Sequence, residues 1–208
     1  MVRAQLPVFF AASAACLALL APTVARAQVP DGLYALNRPA SAVGFTISAS
    51  MIFKMKEDGS FKDFTGSLSY DPASPADTRV DLTVYTASID TRNAEHNELL
   101  KSSDFFDVAD FPTMHFVSAS TAALPDGTFS MTGDMTIRGV TKRMTIPVRL
   151  KHDSAGGHQS GALFESTFQI DRTDFGLNGL PKWHGVKVSI SKKVDVHIAI
   201  ATTLATPK

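Results

Sequence analysis

The sequence predicts an all-β protein, an antiparallel barrel of about eight strands. Two observations support this prediction: apolar residues alternate with polar ones over most of the chain, and turn-forming residues separate the alternating segments. Strands that each have one apolar face, with almost no helix between them, fit a closed barrel or a two-sheet sandwich. The alternation is the same in both architectures, and we favour the barrel.

The first 27 residues have the pattern of a secretory signal peptide. Arg3 supplies a positive charge, residues 8–21 are apolar or small, and Ala25-Arg26-Ala27 matches the motif that signal peptidase cleaves. The apolar run is too short to span a bilayer. We therefore expect a cleaved signal peptide over residues 1–27, a periplasmic location, and one domain over residues 28–208.

Composition excludes several functional classes. The chain has 20 basic and 20 acidic side chains, so it has no positive field that would attract nucleic acid. Its single cysteine, Cys16, lies in the predicted signal peptide, so the exported chain has no disulfide and no thiol nucleophile. The chain has no G-x-S-x-G motif and its six histidines are scattered, so we expect no enzymatic activity and no metal site. The alternative is a periplasmic b-type haem- or metal-binding electron-transfer protein, because the predicted interior is rich in methionine.

The strands follow from alternating apolar residues, taken in chain order. These residues are Val43, Phe45 and Ile47; Val80, Leu82 and Val84; Phe129 and Met131; Met135 and Ile137; Met144, Ile146, Val148 and Leu150; Phe164, Phe168 and Ile170; Val186, Val188 and Ile190; and Val194, Val196, Ile198 and Ile200. Turns are predicted at Asp58-Gly59, Asp71-Pro72, Pro125-Asp126-Gly127, Gly139 and Gly156-Gly157. Lys192-Lys193 is expected to form a hairpin turn or a charged edge, and Pro147 to mark an edge or a bulge.

Large side chains dominate the predicted inward faces. A barrel of about eight strands has an interior that side chains can just fill, or that can hold one small ligand. Methionine adapts readily to an apolar ligand. The sequence is therefore compatible both with a core filled by side chains and with a cavity that holds a ligand.

An apolar stretch interrupts the strand pattern at residues 88–118, with a short polar part that carries Leu99 and Leu100, followed by Phe105, Phe106 and Phe111. Asn93 is a predicted N-cap for a helix over residues 94–101, which would place His96, Leu99 and Leu100 on one face. We expect a short helical segment near residues 94–107 that covers one end of the barrel. The alternative is that its leucines plug a solid core. Further along, Arg172 and Asp174 are expected to form a structural polar contact.

The same segment carries a family resemblance. It reads S-I-D-T at 88–91, L-K-S-S-D-F-F-D at 100–107 and F-P-T-M-H-F-V-S at 111–118. Later motifs agree: G-D-M-T-I-R-G-V-T at 133–141 and R-T-D-F-G at 172–176. Together these resemble the YceI-like family of periplasmic polyisoprenoid-binding proteins. The resemblance implies an extended, lipocalin-like antiparallel β-barrel whose pore holds a polyisoprenoid, an isoprenoid quinone or a fatty-acid derivative.

One part of the segment departs from the family pattern. Where family members show R-D-x-H-L-R-S, this chain has H-N-E-L-L-K-S at residues 96–102. Imidazole and ammonium groups do not bind phosphate in the bidentate manner of guanidinium. The departure favours a less charged head group, such as a quinone ring or an amide.

The resulting expectation is a non-enzymatic lipid carrier with no cofactor besides the bound lipid. Candidate ligand-binding residues are Phe45, Leu82, Val84, His96, Asn97, Leu99, Leu100, Phe105, Phe106, Phe116, Met131, Met135, Phe164, Phe168 and Trp183. The expected partner is an isoprenoid or acyl lipid. A membrane cytochrome, a lipid-synthesis enzyme and a second copy of the chain are further candidates.

Overall fold

A computed structural model describes residues 32–50, 54–71, 73–153, 161–180, 182–183 and 186–204. The predicted signal peptide and the predicted turn at Gly156-Gly157 lie outside these residues. Among the helices of the described part, none is long and apolar enough to cross a membrane.

Strands dominate this part of the chain. They are β1 (Gly32–Leu36), β2 (Ala42–Ser50), β3 (Lys54–Phe61), β4 (Phe64–Tyr70), β5 (Arg79–Tyr85), β6 (Ile89–Asp90), β7 (Thr113–Ala123), β8 (Thr128–Ile137), β9 (Val140–Asp153), β10 (Gly161–Asp171), β11 (Lys182–Trp183), β12 (Val186–Lys187) and β13 (Ser189–Leu204). The α-helix is α1 (Ala94–Lys101), and short 3₁₀ helices span Arg38–Ala40, Pro75–Asp77, Thr86–Ser88 and Arg172–Phe175.

The strands close into an eight-stranded antiparallel barrel, as the sequence predicts. Three of its eight positions are occupied by two strands placed end to end: β1 with β2, β3 with β4, and β5 with β6. The barrel closes on β13, which pairs with β1 near Thr203 and with β2 near Val196. Neighbouring strands follow one another in sequence, so alternate connections lie at the same end. We call the end that carries α1 and the Arg172–Phe175 turn the lid end.

The opposite end, the closed end, is packed by aromatic residues. The ring of Tyr70 makes edge-to-face contacts with Phe129 and Phe164, with ring centroids 6.2 Å apart in both pairs. Tyr34 and Met131 are each only 1% exposed beside them. This cluster fills the barrel as an ordinary core.

Two predicted turns are wrong. Gly59 lies inside β3, where it pairs with Phe45, and a Cβ on Gly59 would stand 2.3 Å from the Phe45 ring. The glycine is therefore needed for the approach of this ring. Lys192-Lys193 lies within the single strand β13, at an irregularity where the register against β2 shifts between Ile190 and Val194.

Pro147 marks the place where the β9–β10 ladder ends. The two strands pair only from Arg149↔Glu165 to Asp153↔Gly161. The carbonyl of Pro147 accepts a hydrogen bond of 2.6 Å from the Ser166 hydroxyl of β10, so its peptide groups face that strand. Because proline has no N–H, the ladder has no donor at this position.

Candidate functional site

A cavity of about 410 Å³ occupies the barrel between the aromatic core of the closed end and the lid end. Its wall is mainly aliphatic, aromatic and methionine side chains from the strands, and α1 contributes to it. The interior is therefore only partly filled by side chains, and the space that remains is apolar.

Most of the candidate ligand-binding residues lie on this wall. They are Phe45, Leu82, Val84, His96, Leu99, Leu100, Phe105, Phe106, Phe116, Met131, Met135, Phe164 and Phe168. Asn97 serves the helix instead: its side-chain oxygen accepts bonds of 2.8 Å from the Thr91 backbone N–H and hydroxyl. The backbone of Trp183 belongs to β11, and its side chain lies outside the described residues. That these residues contact a ligand stays a prediction.

Helix α1 forms where the sequence predicts it. The Asn93 side chain accepts hydrogen bonds from the N–H groups of Glu95 (3.0 Å) and His96 (3.2 Å), which satisfies two otherwise free donors of the first turn. Leu99 and Leu100 are half-buried. They pack on two apolar clusters of the lid end: both contact the cluster of Phe105, Ile137, Phe175 and Leu177, and Leu100 also contacts the cluster of Val43, Phe61, Phe64, Leu82, Val84 and Ile89. A helix of eight residues is marginal alone, so docking of these leucines stabilises it.

The chain after α1 completes the cover. Phe106 meets Phe61 of β3 edge to face, with ring centroids 5.6 Å apart. Phe105 is buried against Gly179, where a Cβ would stand 2.6 Å from the phenylalanine ring. Residues 102–107 and the 177–179 segment therefore touch above the cavity.

Arg138 joins these two segments, a role that sequence analysis missed. It lies in the turn between β8 and β9 with φ of 48°. Its guanidinium donates to the carbonyls of Gly176 (2.9 Å) and Ser103 (2.8 Å) and stands 3.5 Å from the Asp107 carboxylate. The motif R-G-V-T locates this arginine in the sequence, but its partners are 35 and 38 residues away.

The polar part of the wall lies where α1 faces β3. His96 Nδ1 is 3.0 Å from a carboxylate oxygen of Glu57, and the histidine side chain is 16% exposed. This pair ties the helix to the barrel and places a carboxylate at the rim. Within the described residues, no group of three or more histidine, cysteine, aspartate or glutamate side chains is arranged to hold a metal ion.

Arg172 also lies on the wall, and the contact expected between Arg172 and Asp174 is wrong. Asp174 stands 3.5 Å from Lys142, whereas Arg172 is 5% exposed and lines the cavity. Burial lowers the pKa of Arg172, while the charge of Asp171 acts in the opposite direction. Its guanidinium contacts carbonyls that lie 5 to 19 residues further along the chain, and the alternation of apolar residues does not indicate these contacts.

Comparison with known proteins identifies the family. The model of the YceI-like domain matches residues 34–202. A UPF0312 protein of Ectopseudomonas mendocina is 38% identical over 122 residues, which cover 57% of this chain and 63% of that relative. The chain thus spans somewhat less than two thirds of the relatives it matches.

Solved structures share the fold. Burkholderia cenocepacia BcnA superposes with a TM-score of 0.68 at 25% identity, covering 82% of this chain and 99% of BcnA. A Campylobacter jejuni YCEI protein gives a TM-score of 0.65 at 23% identity, covering 76% and 90% of the two chains. A polyisoprenoid binding domain from Saccharophagus degradans gives 0.62 at 16% identity, covering 83% and 98%. The last two similarities concern the fold alone.

Proposed function

Because this chain belongs to the YceI-like domain family, we propose that it is a non-enzymatic carrier of one isoprenoid or acyl lipid. The observation that carries the proposal is the apolar cavity of about 410 Å³ inside the closed barrel. Ligand pockets commonly measure about 300–1,000 Å³. The related Saccharophagus degradans domain is described as polyisoprenoid-binding, which supports the same ligand class here.

The physical driving force is burial of the lipid chain. Each methylene-sized group removed from water contributes about 0.8 kcal/mol, so ten such groups contribute about 8 kcal/mol. That corresponds to roughly micromolar affinity before the cost of ordering the chain is subtracted. Apolar burial alone therefore gives useful affinity, and polar contacts add head-group selectivity.

The proposal includes export to the periplasm, supported by the pattern of residues 1–27. An exported carrier would move or store a lipid that water cannot hold, or present a quinone to a membrane cytochrome or a lipid-synthesis enzyme. Protein recovered from a periplasmic extract should begin at Gln28, as N-terminal sequencing would establish.

The decisive experiment is mass spectrometry of organic extracts from protein purified out of its native host without detergent. We expect one lipid class in roughly stoichiometric amount. An unrelated exported protein with the same affinity tag, extracted in parallel, identifies contaminating lipids. Absence of any lipid specific to this protein, together with failure to bind added long-chain lipids, would refute the proposal.

A further inference from the structure

Arg172 stands out on the cavity wall. It opens the Arg172–Phe175 turn after β10, is 5% exposed, and lines the cavity beside Ile137, Leu177 and Ile190. Among the described residues on the wall it is the one arginine or lysine. A buried guanidinium in an apolar wall is unusual, because dehydration of a charge is costly unless the charge is paired.

No carboxylate in the described part of the chain pairs with Arg172. The neighbouring carboxylates have other partners. Asp171 accepts from the backbone N–H (3.0 Å) and the hydroxyl (2.6 Å) of Thr173 and lies 3.7 Å from Lys193. Asp174 is engaged by Lys142.

Three of the four described acidic residues elsewhere on the wall have basic or histidine partners. Glu57 contacts His96 (3.0 Å), Asp81 contacts His115 (2.7 Å), and Glu165 forms an ion pair with Lys151 (2.7 Å). Glu95, also on the wall, is an exposed residue of α1. Among the described residues, therefore, no carboxylate contacts the positive charge of Arg172 as a counter-ion.

Backbone carbonyls orient the guanidinium without neutralising it. Nε donates to the carbonyl of Ser191 (3.0 Å), and Nη1 donates to the carbonyls of Leu177 and, at 3.5 Å, Gly179. Within the described residues, no hydrogen bond uses Nη2. The side chain is thus held in place, while its Nη2 donors and its positive charge stay available to a ligand.

We propose that Arg172 binds the head group of the lipid, and that this head group is an anionic oxygen group, a carboxylate or a phosphate. This rests on the proposed function of the cavity as a lipid site. The lipid would lie with its charged end beneath the lid and its chain directed to the aromatic core at the closed end. The ligand would supply the counter-ion that the described part of the chain does not.

Chemistry favours this site over the one expected at His96. An arginine donates two parallel hydrogen bonds to a carboxylate or phosphate, and such charge-assisted bonds strengthen away from water. At the rim, by contrast, Glu57 beside His96 would repel an anion. Residues 96–102 lack the guanidinium groups of the family pattern, and Arg172, in another part of the cavity wall, supplies one instead.

The test uses three probes with the same sixteen-carbon chain: hexadecanol, hexadecanoate and hexadecyl phosphate. Their affinities are measured by displacement of a fluorescent apolar probe from the full protein. We expect wild-type protein to bind at least one anion about tenfold or more tightly than the alcohol, as befits a charge-assisted contact. The preferred anion distinguishes a carboxylate ligand from a phosphate ligand.

Arg172→Gln should bind hexadecanol as wild type does and lose the preference for the anion. Arg172→Lys, which keeps the charge but not the fork of donors, should retain part of it. Arg138→Gln is the matched control, because Arg138 also donates to carbonyls at the lid end without lining the cavity. It should leave the preference unchanged.

The outcomes separate the two proposals. Binding of none of the three probes to wild-type protein refutes the carrier function itself. Equal binding of alcohol and anions by wild type, or an anion preference that survives in Arg172→Gln, overturns the role of Arg172 and leaves the carrier function standing. If Arg172→Gln does not fold, NMR on wild-type protein tests the role of Arg172 instead. The Nε–H resonance of Arg172, assigned by comparison with Arg172→Lys, must shift more on addition of hexadecanoate or hexadecyl phosphate than on addition of hexadecanol.

Discussion

Replacing Leu100 by aspartate tests whether α1 is a lid over a ligand or a plug of a solid core. Leu100 is half-buried, lines the cavity and packs on the apolar clusters of the lid end. Its carbonyl accepts from the Phe106 N–H at 3.0 Å, a bond that the substitution leaves in place. The change therefore alters the wall and not the backbone of the lid.

Loss of a half-buried leucine side chain costs about 1 kcal/mol of apolar burial. Covering this carboxyl group with a bound lipid adds at least the ~1–3 kcal/mol that dehydration of an uncharged polar group costs. Without ligand, a side chain at this half-buried position can still reach solvent, so most of the second cost falls on the complex. We expect lipid affinity to fall by about 2–4 kcal/mol, roughly 30- to 700-fold, and unfolding free energy by about 1 kcal/mol.

Two measurements on the same sample decide the matter: the dissociation constant of hexadecanol and the thermal midpoint of lipid-free protein. A cost of 1 kcal/mol lowers the midpoint by about 2–4 °C in a domain of this size. Leu124→Asp is the control, because Leu124 is 43% exposed at the closed end and does not line the cavity; it should change neither quantity appreciably. A midpoint that falls by more than about 10 °C while bound lipid is retained would refute the lid and favour the plug.

Three further predictions concern the frame around the site. Arg138→Ala removes the bonds to Ser103 and Gly176. Stopped-flow displacement should show that lipid release is accelerated by about tenfold or more, for a loss of about 1.4 kcal/mol; an unchanged rate would mean that these bonds do not hold the lid end closed. Hydrogen bonds from Thr173 lower the pKa of Asp171 in the folded state, so the stability it contributes is present above its usual pKa and lost as pH falls through the lower folded value. Wild type should therefore lose more stability than Asp171→Asn when thermal unfolding is followed from pH 5 to below pH 3, and parallel curves would exclude this contribution. Gly133→Ala would put a Cβ 2.4 Å from a carbonyl oxygen of β7, and chemical denaturation should show a loss of about 1–3 kcal/mol; wild-type stability would mean that β7 moves away freely.

The strands could be predicted from the sequence because the residue pattern that determines a strand is local. Alternation at Val43, Phe45 and Ile47 predicts β2 correctly, since burial of one face of a strand is set by every second residue. The prediction of α1 is confirmed for the same reason: the cap at Asn93 and the first turn lie three residues apart.

The errors have non-local causes. Asp58-Gly59 has the composition of a turn, but the glycine is there because the Phe45 ring of the neighbouring strand covers it. Arg172 looks like a surface residue in a polar turn, but its buried guanidinium donates to the carbonyl of Leu177, just after the turn, and to that of Ser191 in β13, 19 residues further along the chain. Spacing alone shows neither the ring nor the carbonyls.

The lid end and the barrel wall differ in how they are held, and this bears on ligand exchange. The wall is an almost continuous ladder of backbone hydrogen bonds, interrupted between β9 and β10 over the part of β9 that precedes Arg149 and includes Pro147. The lid end consists of separate short segments joined by side chains, with Arg138 as the main link between them. Breaking a few side-chain contacts costs far less than opening a barrel, so lipid should exchange by lid opening while the barrel stays folded. Arg138 would then govern the rate of exchange, and Arg172 would govern the choice of head group. The two arginines donate to neighbouring carbonyls: Arg138 to that of Gly176 and Arg172 to that of Leu177. A variant of Arg138 should therefore alter the rate of lipid exchange but not the head-group preference, and a variant of Arg172 should alter the preference but not the rate. A lid above a charged head-group site requires that these two properties be separate.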